Sequence, residues 1–427
     1  MKISSKFLAV SRSRENRMLF GNAASLYLLQ GISYIFPLIT IPYLVRVLGT
    51  DMFGLIAFAG SLLAYFQMIV DYGFNLSATR EVSISRNNRD GISHLFFSVL
   101  AVKSFLAVGC AVILAGLVCT IPRFHVNMYL YLWLYAGVAG SILFPVWLFQ
   151  GMEQMGYIAI FNLLSKIMIM GLYFLVIKKP SDFMWYAYLN SIGTCVIGSI
   201  SLIVAIRTFK ISIVVPSIGS CKKCLKDGFQ IFISQISVSL FTNSNTFILG
   251  IFANNKIVGM YAVAEKIVRA LISMTGPVGS AIYPRTSIMF TTSQAQAIRF
   301  LKKIFVAGSV IFGTLCFLLF FFSNSIVLAV TGERSNEISF LVRVMSFLPL
   351  TVFWDNIYGT QIMLNVNMQR QFMRIIVAGG ILSACLLFSL VPIFSAAGSA
   401  MSFVISQFTI LVCMVVAVKK ARIRLVS

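Results

Sequence analysis

Long apolar stretches recur along the whole chain and limit what it can fold into. A helix that crosses a bilayer needs about 20 predominantly apolar residues. Twelve stretches meet this length, and the short connections between them leave no room for a soluble domain. The predicted spans are 20–45, 53–73, 94–119, 128–150, 157–177, 183–206, 228–252, 259–284, 299–322, 338–364, 371–392 and 396–418.

Composition supports an integral membrane protein. The chain is 59% hydrophobic and 11% charged, whereas a soluble domain carries roughly 25% charged residues. The mean hydropathy is +0.92. We therefore predict an all-α integral membrane protein with twelve transmembrane helices.

The net charge of +22 is distributed around the spans. Nucleic-acid binding would explain such a balance, but the basic residues flank apolar spans, as in loops that face anionic cytoplasmic lipid. With the N-terminus inside, 23 Lys and Arg residues fall in cytoplasmic segments or in the first five residues of the spans that follow them, and six fall in external segments. This asymmetry predicts a multi-pass protein with both termini cytoplasmic.

A faint internal repeat with an offset of 205 residues indicates two halves. At this offset Gly54 aligns with Gly259, and Arg80 with Arg285. Parallel repeats of this kind place the substrate between the halves. The predicted organisation is a cytoplasmic basic arm (1–19), an N-terminal six-helix bundle (20–206), a cytoplasmic linker (207–227), a C-terminal six-helix bundle (228–418) and a basic tail (419–427).

Charged residues inside the spans are the candidates for function. Lys103 and Lys166 lie near the middle of their spans, where a lipid-facing lysine costs about 2.5–3.5 kcal/mol. A wet cationic cavity is the favoured interpretation, while an interhelical ion pair and snorkelling to the interface remain open. In the eighth span, Glu265 and Arg269 are spaced to pair, and Lys266 points away from them.

Other polar groups inside the spans have weaker interpretations. Asp71 and Asp355, together with Glu265, are the acids that could couple transport to an ion. The run of polar residues in the seventh span either joins helices or meets sugar hydroxyls; it includes Thr242, Asn243, Ser244 and Asn245.

No catalytic constellation is visible in the sequence. The chain has two histidines, and the CxxC pair of Cys221 and Cys224 lacks the further ligands of a zinc site. We expect no metal, no cofactor and no enzymatic activity.

The chain resembles the O-antigen flippases of the Wzx type. These belong to the polysaccharide-transporter branch of the multidrug/oligosaccharidyl-lipid/polysaccharide (MOP) exporter superfamily. The resemblance rests on several segments and covers the chain almost end to end: PLITIPYLVRVLG, FGLIAF, DYGFNLSATRE, WLFQGMEQM, FISQISVSLFTNSNTFILG, VGMYAVAEKIVRA and PVGSAIYPR.

The resemblance implies a MATE-like V of two six-helix bundles in the bacterial inner membrane. By alternating access it would export repeat units linked to undecaprenyl diphosphate. The O-antigen polymerase and the chain-length regulator are the expected protein partners. The cations that would meet the anionic lipid carrier are, by position, Arg46, Lys103, Lys166, Lys266 and Arg269.

Two rival functions make different demands on the sequence. A multidrug or cation antiporter of the same superfamily would use acidic residues to attract cations, whereas this chain places basic residues in its spans. A polytopic glycan polymerase would carry a large external loop with catalytic residues, and the predicted external loops are short.

Overall fold

The structure is a computed structural model that describes the backbone of residues 2–421. Side chains are described for residues 31, 36–236, 239 and 243–421. The side chains of the predicted basic arm (1–19), the side chain of Thr242 and the end of the predicted basic tail lie outside this set.

Within residues 2–421 the chain is α-helical and contains no β-strand, which confirms the predicted all-α class. A 3₁₀ turn at Pro180–Asp182 and a π-helix at Asn356–Met363 accompany the α-helices. The α-helices are α1 Lys2–Asp71, α2 Phe74–Ile84, α3 Arg89–Thr120, α4 Pro122–His125, α5 Met128–Ile142, α6 Val146–Gly151, α7 Met155–Val176, α8 Phe183–Phe209, α9 Ile218–Thr242, α10 Ser244–Phe252, α11 Asn255–Ser273, α12 Thr275–Thr292, α13 Gln294–Phe321, α14 Ser323–Thr331, α15 Asn336–Met345, α16 Leu348–Asp355 and α17 Gln369–Lys420.

Eight helical segments of the described residues are long and apolar enough to cross a membrane. They are Phe36–Ile84, Arg89–Thr120, Met128–Gly151, Met155–Val176, Pro180–Phe209, Gln294–Phe321, Asn336–Met363 and Gln369–Lys420. The chain is thus a multi-pass membrane protein, but the exact number of twelve spans is not confirmed.

Among the described residues, eight segments are found where twelve spans are predicted, because some segments combine two predicted spans and others are interrupted. Phe36–Ile84 has 49 residues and Gln369–Lys420 has 52, and each overlaps two predicted spans. The backbone leaves helical geometry inside them, at Gly49 (φ 75°) and at Ser395 (φ 51°). The predicted spans 228–252 and 259–284 coincide with α9–α10 and α11–α12, which are interrupted near Asn243 and Met274.

The chain divides into two compact units that do not follow the chain order. Unit 1 comprises the residues up to Ile39, Leu63–Lys178 and Met184–Gln235, and unit 2 comprises Thr40–Leu62, Lys179–Phe183 and the residues from Ile236. The predicted bundle boundaries stay a prediction.

The core of unit 1 is a cluster of large apolar side chains from α2, α3, α6, α7 and α8. Its fully buried members include Val82, Phe96, Leu148 and Phe149. Aromatic packing joins these helices, since the Phe96 and Trp147 ring centroids are 6.0 Å apart. This core fixes the end of α1 and the segment that follows it.

The core of unit 2 is built around the π-helix and the second half of α17. Ile357, Ile362, Met363 and Met414 are buried there, and Phe353 stacks on Phe312 with 5.0 Å between ring centroids. The core therefore surrounds the segment that carries Asp355.

Two glycines of the predicted repeat pack against each other in unit 2. A Cβ atom on Gly54 would lie 1.9 Å from the Asn255 carbonyl oxygen, and one on Gly259 would lie 1.8 Å from the Thr50 carbonyl oxygen. Residues 50 and 255 are also separated by 205 positions, so the contact is reciprocal. Equivalent positions of the repeat thus contact each other reciprocally.

Candidate functional site

Lys103 is buried in unit 1 and forms an interhelical ion pair with Asp71. Its Nζ atom lies 2.9 Å from Asp71 Oδ1, and its side chain is 4% exposed. The Gln67 amide donates to Asp71 Oδ2 at 2.9 Å, and Gln67 also hydrogen bonds to Ser141. Of the three interpretations of Lys103, the interhelical pair is the one that the structure contains.

A left-handed turn places Asp71 in this network. Helix α1 ends at Asp71, and Tyr72 (φ 44°) and Gly73 (φ 80°) both have positive φ. A carboxylate at a helix C-terminus is electrostatically unfavourable, and the ammonium of Lys103 offsets this. The DYG sequence thus turns the chain while holding the carboxylate against α3.

Lys166 is half-buried on α7 of the same unit. Its ammonium lies 5.9 Å from the centroid of the Phe36 ring, within the range of a cation–π contact. The network of Lys103 and the surroundings of Lys166 are therefore different, although both lie in unit 1.

Glu265 and Arg269 form the intrahelical ion pair that their spacing predicts. In α11 the Arg269 Nη2 atom lies 2.8 Å from Glu265 Oε1. The hydroxyl of Thr246 donates to Glu265 Oε2 at 3.0 Å, and the Arg269 guanidinium lies 5.4 Å from the Phe403 ring centroid. Glu265 is buried, and both of its carboxylate oxygens have hydrogen-bond partners.

Lys266 and Arg46, also in unit 2, differ in their contacts. The side chain of Lys266 is exposed and forms no ion pair with any described residue. Arg46 donates through Nε to the Val330 carbonyl at 3.2 Å and through Nη2 to the Ala329 carbonyl. Arg46 therefore satisfies carbonyls in the last turn of α14, a common role for arginine at a helix C-terminus.

The polar run of the seventh predicted span lies at the break between α9 and α10. Ser244 and Asn245 are buried, and Asn243 donates to Ser239 Oγ at 3.0 Å. The Ser399 hydroxyl donates to the Asn245 carbonyl at 3.0 Å, whereas the Asn245 side-chain amide has no hydrogen-bond partner among the described residues. A backbone carbonyl of the run is thus hydrogen bonded to α17 within unit 2.

Asp355 precedes the π-helix of unit 2. It accepts a hydrogen bond from the Gln407 amide, and its second oxygen has no partner among the described residues. Within the π-helix, Gln361 accepts from the Thr286 hydroxyl at 2.8 Å and donates to the Gly279 carbonyl at 3.0 Å. π-Helical segments are frequent at functional sites.

Unit 1 also contains a cavity of about 940 Å³, here called the α2–α9 cavity. Helix α2, the first part of α3 and the first part of α9 line it. Its apolar wall includes Phe74, Leu95, Val99, Leu225 and Ile231. Its charged residues are Arg80, Glu81, Lys223, Lys226 and Asp227. The volume is that of a typical small-molecule site, about 300–1,000 Å³.

Cys224 is a buried residue in the wall of the α2–α9 cavity. The pKa of this thiol is raised to about 11, mainly by burial and to a smaller extent by the nearby Cys221 and Asp227. Lys223 Nζ lies 3.3 Å from Glu81 Oε1, and this hydrogen bond raises the pKa of the Lys223 ammonium. The cavity therefore combines an apolar wall with charged side chains.

A second, smaller cavity of about 620 Å³ lies in unit 2 and is here called the α17 cavity. The two ends of α17 line it, with Arg374 and Lys420 as its charged residues. Among the described residues, no acidic side chain lines this cavity.

Sequence reasoning missed several partners of the candidate residues. Gln67 lies four residues before Asp71, and this spacing on a helix could have indicated their hydrogen bond. Ser141, Gln407 and the lining of the α2–α9 cavity give no local signal, because they are distant in sequence from the residues they meet.

No group of three His, Cys, Asp or Glu side chains suited to a metal occurs among the described residues.

Comparison with known proteins places the chain in a family. Residues 19–290, more than half of the chain, match the family described as polysaccharide biosynthesis protein. The chain belongs to this family. Two relatives are similar to this chain over nearly their whole length, and both are named "Putative O-antigen transporter". The one from Escherichia coli (strain K12) is 30% identical over 386 residues, covering 90% of this chain and 93% of the relative. The one from Shigella dysenteriae is 25% identical over 406 residues, covering 93% and 99%.

Solved structures share the fold of this polysaccharide biosynthesis protein. The lipid II flippase MurJ in an inward closed conformation has a TM-score of 0.74 at 12% identity, covering 94% of this chain and 87% of MurJ. An inward-facing multidrug resistance MATE family transporter of the MOP superfamily has a TM-score of 0.63 at 14% identity, covering 92% and 98%. These likenesses show the fold. The family match and the two relatives named as transporters confirm the resemblance noted in the sequence, and they agree with the expectation that the chain is not an enzyme.

Proposed function

We propose that this polysaccharide biosynthesis protein is a flippase for undecaprenyl-diphosphate-linked O-antigen repeat units. It moves them from the cytoplasmic to the periplasmic leaflet of the bacterial inner membrane by alternating access. The observation that carries the proposal is the 30% identity to the Escherichia coli relative over 90% of the chain. The O-antigen polymerase and the chain-length regulator are its proposed partners.

The charges of the chain suit an anionic cargo. Lys103, Lys166, Lys266, Arg269 and Arg46 are the proposed cations for the diphosphate, and the polar run at Thr242, Asn243, Ser244 and Asn245 is proposed to meet the glycan. Lys266 is the foremost of the cations, because it is exposed and pairs with no described acid. Lys103 and Arg269 are each held by a carboxylate, so they would meet phosphate as members of an ion pair.

The membrane potential can drive this cargo outward. Each elementary charge that crosses 100 mV gains about 2.3 kcal/mol, and a diphosphate diester carries about two negative charges. The potential alone therefore supplies about 5 kcal/mol per 100 mV. Asp71, Glu265 and Asp355 are the proposed groups for any additional coupling to an ion.

Reconstitution tests the proposal. The purified protein in sealed vesicles is supplied with a fluorescent oligosaccharide linked to undecaprenyl diphosphate in one leaflet, and its arrival in the other leaflet is measured. We expect transport that accelerates when a potassium gradient and valinomycin make the acceptor side positive. Protein-free vesicles give the background rate.

Substitution of Lys266 separates the flippase from a cation antiporter. We expect Lys266→Gln to reduce transport of the lipid-linked oligosaccharide, while Lys302→Gln, a matched exposed lysine, leaves it unchanged. Export of cationic dyes by vesicles that do not move the oligosaccharide would contradict the proposal and support the multidrug antiporter.

A further inference from the structure

The α2–α9 cavity has the two surfaces that an amphiphilic ligand requires. One is apolar and is formed by Phe74, Leu95, Val99 and Ile231. The other is formed by charged side chains of α2 and α9. A purely polar ligand would make no apolar contact with the apolar wall. A hydrocarbon would make no polar contact with the charged side chains. A lipid with a charged head matches both surfaces.

The charges of the cavity favour an anionic head. Lys223 forms an ion pair with Glu81. The remaining charged side chains of the cavity are Arg80, Lys226 and Asp227. Arg80 and Lys226 are exposed and form no ion pair with any described residue. Two available cations against one carboxylate give a net positive field, and phosphate oxygens are good acceptors for both cation types.

We propose that the α2–α9 cavity binds the isoprenoid diphosphate end of the lipid-linked substrate. The diphosphate would lie between Arg80 and Lys226, and the first isoprene units would lie against the apolar wall. The assignment rests on the proposed function and deepens it, because it names the part of the chain that first meets the lipid carrier.

The position of the cavity favours the substrate over a resident phospholipid. Both segments that supply its charges, the residues after the second predicted span and the 207–227 linker, are predicted to be cytoplasmic, on the side where the substrate is loaded. The cavity also borders the buried network of Lys103, because Tyr72, the neighbour of Asp71, lines it.

Close packing joins α9 to the turn that holds Asp71. The Tyr72 ring stacks on Phe232 of α9 with 4.5 Å between centroids. A Cβ atom on Gly73 would lie 2.6 Å from Ile231, and one on Gly228 would lie 3.0 Å from the Tyr72 ring. A ligand that moves α9 must therefore displace the turn that holds Asp71.

Binding of farnesyl diphosphate to the purified full-length protein in detergent tests the proposal. We expect saturable binding that Arg80→Gln with Lys226→Gln weakens at least about tenfold, the loss expected for charge-assisted hydrogen bonds. Leu95→Trp, which fills the apolar wall, should weaken it as well. Arg80→Lys should retain most of the affinity.

The α17 cavity provides the matched control. Arg374→Gln with Lys420→Gln also removes two cations beside an apolar groove, and we expect it to leave the affinity for farnesyl diphosphate within about twofold. Equal weakening by both double variants would show general charge attraction and overturn the proposal. So would an unchanged affinity in the Arg80 and Lys226 variant.

Two further ligands identify the occupant. Inorganic diphosphate should bind at least about tenfold more weakly than farnesyl diphosphate, because it lacks the apolar chain. Phosphatidylglycerol should compete poorly. If phosphatidylglycerol binds as tightly as farnesyl diphosphate and is equally sensitive to Arg80 and Lys226, the cavity is a phospholipid site and the proposal is wrong.

Transport by the wild-type protein separates the two possible failures. If the wild type flips the lipid-linked oligosaccharide while substitution of Arg80 and Lys226 leaves the affinity for farnesyl diphosphate unchanged, only the assignment of the cavity is overturned. If the wild type does not flip the oligosaccharide, the proposed function is overturned, and the assignment of the substrate to this cavity is overturned with it.

Discussion

Lys103 shows how a buried charge depends on its neighbours. A lone lysine at this depth would lose its proton or carry a large desolvation penalty. In unit 1 the carboxylate of Asp71 lies 2.9 Å away and is itself held by Gln67. Loss of one partner from such a pair is more damaging than loss of both, because the remaining charge stays buried.

This asymmetry predicts the effect of substitutions at Lys103. Lys103→Gln should reduce the free energy of unfolding by about 3 kcal/mol and lower abundance in the membrane. Lys103→Gln with Asp71→Asn should recover much of this loss, because two neutral amides can hydrogen bond. Abundance on immunoblots and thermal unfolding in detergent measure both effects, with Lys302→Gln as the exposed control. Normal stability of the single variant would refute the prediction.

The Glu265–Arg269 pair should likewise behave as a unit. Glu265→Gln and Arg269→Gln should each reduce transport and lower the unfolding temperature, since each leaves a charge without its partner. The charge-swapped variant should restore part of both, and a double-mutant cycle gives the coupling energy. Lys266→Gln is the neighbouring control for stability and should change it by less than about 0.5 kcal/mol. A swap that is no better than the worse single variant would show that the two side chains act separately.

At the scale of helices, close approach of backbones organises unit 2. Gly54 and Gly259 occupy equivalent places in the sequence repeat and allow residues 50–60 to pack directly against α11. Small residues at such crossings are common in membrane proteins, where van der Waals packing holds helices together. The same helix packs Phe58 against Phe247 of α10, with 5.9 Å between ring centroids.

Alanine at these glycines should separate the two helices. Gly54→Ala and Gly259→Ala should each destabilise the protein by about 1–3 kcal/mol, because the added methyl group meets backbone atoms that cannot move aside. Gly60→Ala is the matched control: it lies in the same helix with open space around it and should be neutral or stabilising by up to about 1 kcal/mol. Thermal unfolding in one detergent compares the three. Equal effects at all three sites would exclude the backbone contact as the cause.

For the whole molecule, the distribution of charge decides the orientation in the membrane. Positive residues that flank short loops favour the cytoplasmic side, and the counts of 23 and six predict that both termini and the 207–227 linker lie there. This orientation remains a prediction. It also sets which leaflet the α2–α9 cavity faces.

Cysteine labelling tests the orientation. In a variant without the eight native cysteines, Val215→Cys should react with a membrane-impermeant maleimide only after the cells are opened. Ser181→Cys, in a loop predicted to be external, should react in intact cells that have a permeable outer membrane. Both positions are exposed, so accessibility within the protein does not separate them. Reaction of Val215→Cys in intact cells would reverse the topology.

The sequence by itself determined the class of the protein and the properties that depend on neighbours in the chain. Runs of apolar residues specify membrane helices because the bilayer selects for length and hydrophobicity. The Glu265–Arg269 pair follows from helical spacing alone. The motifs around DYGFNLSATRE indicated the family, since they are contiguous segments that need no knowledge of contacts.

Only the tertiary structure decided which distant residues meet. Asp71 and Lys103 are 32 positions apart, and Gln67 and Ser141 are 74, so no local pattern reports their hydrogen bonds. The α2–α9 cavity likewise combines helices separated by more than 100 residues. The physical reason is that hydrophobicity and helical period act along the chain, whereas ion pairing and cavity formation depend on distances in space, which packing alone sets.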